Sequence, residues 1–203
     1  MKEFRRQYDG TAEVITREDG EGMSIRGNAI VFDKWSHNLG GFRERILPNA
    51  LDGLDLSNVI ATRNHDFDKP LGRANKGTLQ LDITPEGVRY TIPKMPDTTV
   101  GRDTYEDVRN GNIDGASFMF LVRDEDIDWN FETKNGVAEA TIKRIGKIIG
   151  LGPVTMPAYP DTTATRSMVD MYEGAKQRFE AQKNKENLVP NTVEEELEFE
   201  QMR

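Results

Sequence analysis

Hydrophobic and polar positions alternate most clearly over residues 78–92. Leu79, Leu81 and Ile83 alternate with polar neighbours, Thr84-Pro85-Glu86-Gly87 interrupts the run, and Val88, Tyr90 and Ile92 alternate back. A period of two on each side of a turn predicts an antiparallel hairpin with one solvated face. The same pattern recurs at Ile127, Trp129 and Phe131, with Asn135-Gly136 as the turn and Ala138, Ala140 and Ile142 returning. A third hairpin is predicted around Asp19-Gly20-Glu21-Gly22, with strands over 11–17 and 23–32, because Asp-Gly favours tight turns. Phe42 to Leu47 leads into Pro48, which suits the first turn of a short helix. Val59-Ile60-Ala61 starts a strand that runs into Asn64-His65-Asp66. Tyr105 and Val108 stand at i and i+3, predicting a helix over 102–109 that Gly111 ends. A short strand through about Val122 follows, and a last apolar segment runs from Ile145 to Thr155.

The character changes after about Thr162. Residues 167–186 read as a charged helix with a thin apolar stripe of Met168, Met171, Tyr172, Ala175 and Phe179. Asn187 to Thr192 is a linker, and Glu194, Glu195, Glu196, Glu198 and Glu200 close the chain in an acidic run, usually a solvated end. The expected organisation is a compact unit of about 10–162 within a domain at 1–165, followed by a charged helical or disordered tail at 166–203. The unit is mainly antiparallel β with one or two helices, and closure into a barrel is expected.

Composition removes several kinds of chemistry. Among 203 residues there is no cysteine, so thiol catalysis, disulfides and Cys-based zinc sites are excluded. The net charge of -8 argues against a nucleic-acid surface, which needs clustered Lys and Arg. No run approaches the roughly 20 apolar residues of a membrane span, and the start lacks the apolar core of a signal peptide. A soluble, intracellular protein is expected. Neither Gly-x-x-x-x-Gly-Lys-Ser/Thr nor a helix-opening Gly-x-Gly-x-x-Gly is present, so nucleotide binding has no support.

The candidate chemistry centres on Gly111-Asn112-Ile113-Asp114-Gly115-Ala116-Ser117-Phe118-Met119-Phe120, a Gly-rich turn feeding a strand with a hydroxyl near its start. Small residues on one side and large apolar ones on the other suit a nucleophile, although serine also fits such a run on size alone. A serine needs a base at neutral pH, and imidazole is the usual one. The chain has two histidines. His37 lies in a polar loop, while His65 sits where a strand gives way to a loop, beside Asp66 and Asp68. Those three residues also raise a metal-dependent hydrolase as an alternative. A triad needs an acceptor behind the base; Glu44, Asp66, Asp68, Asp114 and Glu139 qualify by type. Arg144 and Arg166 are candidates for supporting an oxyanion.

Taken in order, four segments resemble the HK97-type prohead (capsid maturation) serine proteases of tailed phages, over roughly residues 10–165. Gly27 to Phe32 followed by Phe42 to Leu51 looks like that family's opening. Asn64-His65-Asp66 with Pro70-Leu71-Gly72-Arg73 looks like the segment carrying its catalytic histidine. Gly111-Asn112-Ile113 with Gly115 to Phe120 looks like the segment carrying its nucleophile, and Pro153 to Thr162 like its closing motif.

The resemblance implies a β-barrel of the herpesvirus-assembly-protease type surrounded by helices, with Ser117 as nucleophile and His65 as base and no cofactor. It implies the major capsid protein and scaffold or delta-type segments as substrates, in the host cytoplasm inside the prohead. A homodimer or higher oligomer is expected by analogy, and self-cleavage of the tail is expected because family members often process themselves. One position departs from the pattern: glycine stands at 150, where the family usually carries an acid that is the third triad member. Losing that acid costs on the order of 10⁴ in turnover. Glu44 and Asp114 are the candidates to replace it. The competing reading is a non-catalytic assembly or scaffolding protein that kept the fold.

Overall fold

Leu81 stands opposite Tyr90 and Ile83 opposite Val88 in a regular antiparallel ladder, as the alternation over 78–92 predicts. The computed structural model describes residues 2–6, 10–15, 22–134, 136–155 and 166–186. In chain order the strands are β1 (Lys2–Arg6), β2 (Glu13–Val14), β3 (Ile25–Val31), β4 (Phe42–Ile46), β5 (Ile60–Thr62), β6 (Pro70–Arg73), β7 (Gln80–Thr84) and β8 (Gly87–Ile92). Helix α1 (Thr99–Arg109) separates these from β9 (Gly115–Val122), β10 (Ile127–Asn130), β11 (Ala138–Ile142) and β12 (Lys147–Val154), and α2 (Arg166–Glu186) follows. A 3-10 turn at Pro48–Leu51 occupies the place expected for a short helix. None of the described helices is long and apolar enough to cross a membrane.

Three sheets result, in the orders β1-β9-β12-β5-β6, β2-β3-β8-β7 and β10-β11-β4. The protein is mainly β with two helices, but no closed barrel is found among the described residues. Short contacts at corners, not a continuous ladder, join the sheets. The Ala12 amide donates to the Asp114 carbonyl at 2.9 Å and the Ala116 amide to the Gly10 carbonyl at 3.2 Å, linking the second sheet to the first, and the Asp33 amide donates to the Ile46 carbonyl at 2.9 Å, linking the second sheet to the third. The pairing is also not uniformly antiparallel. β4 lies parallel to β11, and β5 parallel to β12. Each of these pairs joins segments far apart along the chain, and long crossovers of this kind permit parallel neighbours.

Two strands carry no clear period and escape the pattern. β1 reads Lys-Glu-Phe-Arg-Arg and pairs with β9 at the edge of its sheet, where charge is tolerated. β6 begins with Pro70 on the opposite edge, one of the positions in a sheet that proline accepts. The turn at 16–21, the closing segment at 156–162, the linker at 187–192 and the acidic run lie outside the described residues.

The core forms where the inner faces meet. Phe118 and Phe120 project from one face of β9, fully buried, with ring centroids 5.1 Å apart. A β-bulge re-phases β12 at Ile149, so that Ile148 faces Phe120 but Gly150 faces Met119 and Gly152 faces Ser117. α1 starts at Thr98, whose hydroxyl accepts from the Gly101 amide at 3.1 Å, a standard cap for an orphan helix amide. The apolar stripe of α2 docks on the third sheet. Tyr172 stacks on Phe42 at 5.2 Å and tilts against Trp129 at 5.7 Å, and Phe179 stacks on Phe131 at 5.2 Å. Arg178 pairs with Asp124 at 2.8 Å and Lys183 with Glu132 at 3.1 Å, but such exposed pairs contribute little. Aromatic burial is therefore what holds α2 in place. Tyr172→Ala is expected to destabilise the protein by about 2 kcal/mol, read as a lower urea midpoint; an unchanged midpoint would show that the stacking is dispensable.

Candidate active site

Two elements bring the chemistry together. The first is the turn after α1, where Gly111 takes a left-handed conformation with φ +73° and the chain enters β9. Ser117 is the third residue of that strand, opposite Gly152 of β12 and only 5% exposed. The second is the loop after β5. Asn64 and His65 have φ of 52° and 58°, and together they make up two of the three described non-glycine residues with positive φ. Left-handed backbone costs an L-residue about 1–2 kcal/mol, so two in succession persist only when their surroundings hold them.

Those surroundings are explicit. The Asn64 amide donates to the Pro153 carbonyl at 3.0 Å. Its side-chain amide donates to the Thr155 hydroxyl at 3.1 Å, and its side-chain oxygen accepts from the Thr155 amide at 2.8 Å. Within the loop, the Asp66 amide donates to Arg63 and that of Lys69 to Asp66, both at 3.0 Å. The Asp66 carboxylate accepts from the Asp68 amide at 3.0 Å and pairs with Lys69 at 2.8 Å. The bond from Lys69, followed by that from the Asp68 amide, holds its carboxyl below the usual range. Asp66 is thus committed to shaping its own loop. Among the described residues no group of three His, Asp or Glu side chains gathers in a form that could hold a metal ion.

His65 Nε2 lies 2.6 Å from Ser117 Oγ, although the two residues are 52 positions apart. A hydroxyl donating to Nε2 requires the neutral ring with its proton on Nδ1. This is the separation at which an imidazole can take a serine proton directly.

The other candidates stand elsewhere. Glu44 is fully buried in β4 of the third sheet, with its amide donating to the Ser36 hydroxyl at 3.0 Å. Asp114 lies in the turn three residues before Ser117, exposed, with its carbonyl bonded to Ala12. Glu139 pairs with Arg43 at 2.5 Å. Arg144 precedes β12 and lines a cavity of about 460 Å³ with Asp52, Asp55 and Lys147. Lys147 is five strand positions from Gly152, about 16 Å at the usual rise, so Arg144 is not brought to Ser117. Arg166 opens α2, and its side chain lies outside the described residues. His37 is in the exposed loop before β4, where its carbonyl accepts from Ser36.

Gly150 has its own steric reason. It shares the Ser117 face of β12, and a Cβ there would lie 2.9 Å from the Ile60 carbonyl oxygen and 3.2 Å from the Met119 methyl. An acid at this position has no room unless β5 and Met119 shift.

The family model for caudovirus prohead serine proteases matches residues 11–177. The chain belongs to that family. The matched span includes His65, Ser117 and all of β12, and it ends inside α2. No curated protein and no solved structure matches the chain.

Pattern reading did not find a further group near the site. Arg63 pairs with Asp107 of α1 at 2.6 Å, and Asp107 also accepts from the Asn112 side chain at 3.1 Å. The available signal was the spacing of Asp107 and Asn112 across the helix end, where side chains commonly finish a helix. Donation from Asn112, with the bond and charge of Arg63, holds the Asp107 carboxyl below its usual range. The stabilisation from this group is therefore complete above about pH 4, its unfolded value, and is lost as pH falls through the lower folded value. Asp107→Asn is expected to flatten the loss of melting temperature between pH 5 and pH 3; the same loss as in the parent protein would show that the group is not coupled to folding. Gly150→Glu, which places an acid at this position, is expected to destabilise the protein by about 2 kcal/mol and to bring no gain in activity. A faster and equally stable variant would refute the steric account.

Proposed function

We propose that this prohead protease is a serine endopeptidase that uses Ser117 as nucleophile and His65 as general base, cleaving the major capsid protein and scaffold or delta-type segments inside the prohead. The 2.6 Å approach of His65 Nε2 to Ser117 Oγ carries the reading. In the first step Nε2 takes the hydroxyl proton as Oγ bonds to the scissile carbonyl carbon. The tetrahedral intermediate expels the amine, which receives that proton from the imidazolium, leaving an acyl ester on Ser117. Water then gives a proton to Nε2 while its oxygen attacks the ester, and Ser117 leaves with the proton restored. His65 is the only group assigned a proton. Glu44 and Asp114 are given no step.

Residues 167–203 are proposed to form an assembly or targeting arm that the enzyme removes from itself. A second reading, a non-catalytic assembly protein of the same fold, draws on the glycine at position 150.

The same experiment separates the two readings. A serine-directed fluorophosphonate is expected to label Ser117 in the full chain. Ser117→Ala is expected to abolish both labelling and cleavage of co-expressed capsid and scaffold proteins, and His65→Gln to slow cleavage by about 10⁶-fold. Cleavage that persists in Ser117→Ala would remove the nucleophile assignment. For the arm, intact mass measurement after shell maturation is expected to show a shortened C-terminus; a full-length mass rules out self-removal.

A further inference from the structure

We propose that Asp107 is a positioning residue, a clamp that sets the distance between the histidine loop and the nucleophile strand; this rests on the Ser117–His65 reading. Each oxygen of its carboxylate serves one arm of the site. Oδ2 accepts from Arg63 Nη2 at 2.6 Å, and Arg63 lies two residues before His65. Oδ1 accepts from the Asn112 side-chain amide at 3.1 Å, and Asn112 lies in the turn that enters the Ser117 strand. The Asp107 backbone carbonyl adds bonds from the Asn112 amide at 2.8 Å and the Ile113 amide at 3.2 Å. One residue of α1 thereby references both arms to the same rigid element.

The placement gives the clamp its force. Arg63 and Asp107 side chains are 23% and 29% exposed, against 53% and 88% for the Arg102–Asp97 pair at the other end of α1. A partly buried ion pair is screened less than an exposed one. Arg63 is also fixed by its backbone, donating to Lys69 and accepting from Asp66 within the loop. Immediately after it come Asn64 and His65 in left-handed backbone. A strained pair of this kind relaxes when an anchor is removed, and here relaxation carries the imidazole. Asn64 holds the loop to the end of β12, and Arg63 holds it to α1. Asp107 touches no reacting atom; its effect is on where His65 stands relative to Ser117. A misplacement of about 1 Å costs on the order of 10²-fold in rate.

The test uses the full chain and a fluorophosphonate probe, following both the rate and the final stoichiometry of labelling at Ser117. Asp107→Asn is expected to slow labelling by about 10–100-fold while the final labelled fraction stays complete, and Asp107→Glu to recover part of the rate. Asp97→Asn, which removes the exposed ion pair of the same helix, is expected to leave the rate unchanged. Arg63→Lys keeps the charge but loses the fork, and it is expected to label slowly as well; its rate carries the test if Asp107→Asn folds poorly. A purely structural role would lower the labelled fraction without slowing the molecules that remain folded, and that result overturns the proposal. If the parent chain labels at Ser117 and both Asp107→Asn and Arg63→Lys label at the parent rate, the clamp alone is refuted. No labelling of the parent chain refutes the Ser117–His65 reading and the clamp with it.

Discussion

The close approach of β5 to β12 is the constraint on which the site depends. Gly152 stands between Ser117 and the end of β5, and a Cβ on it would lie 2.2 Å from the Thr62 carbonyl oxygen. At Gly150 the corresponding clash is with the carbonyl of Ile60. Two glycines on one face therefore let β5 run against β12, and His65 follows three residues after Thr62. Larger residues would separate the strands, and a 2.6 Å hydrogen bond does not survive a shift of that size. The absence of an acid at 150 and the presence of the Ser117–His65 contact are two results of the same packing.

A second constraint is conformational. His65 is held in backbone geometry that few residues adopt, and the bonds that hold its loop come from different parts of the chain: Pro153 in β12 and Thr155 just beyond it, Asp107 on α1, and Lys69 within the loop. The rigidity of the site is distributed, and none of these anchors is itself a nucleophile or a base. Such over-determination leaves the Ser117–His65 pair already assembled in the free chain.

Where packing is regular, the sequence was readable. The hairpins at 78–92 and 127–142 follow from alternation, because one face of each meets the core. Helix α1 and the strand of Ser117 follow from spacing and from Gly111. The contact between Ser117 and His65 was legible because the chain has only two histidines and the family-like segments single out one of them together with that serine. β1 and β6 were not legible, since an edge strand can carry charge or proline and shows no period. The parallel pairings were hidden as well, because strand partners distant along the chain leave no local mark. Asp107 looked like any acid on an amphipathic helix; its partner Arg63 is 44 positions away, and only the folded chain joins them.

These distant pairings also govern the order in which the molecule comes into being. β1 finds its partner only in residues 118–122, β4 only in 138–142 and β5 only in 150–151. Much of the sheet framework is therefore non-local, a topology that folds slowly because long loops must close before any contact rewards them. During synthesis the histidine loop leaves the ribosome long before the strand that fixes it. The contact between His65 and Ser117 therefore cannot form until residues near 155 have emerged, and the fold itself delays the meeting of hydroxyl and imidazole.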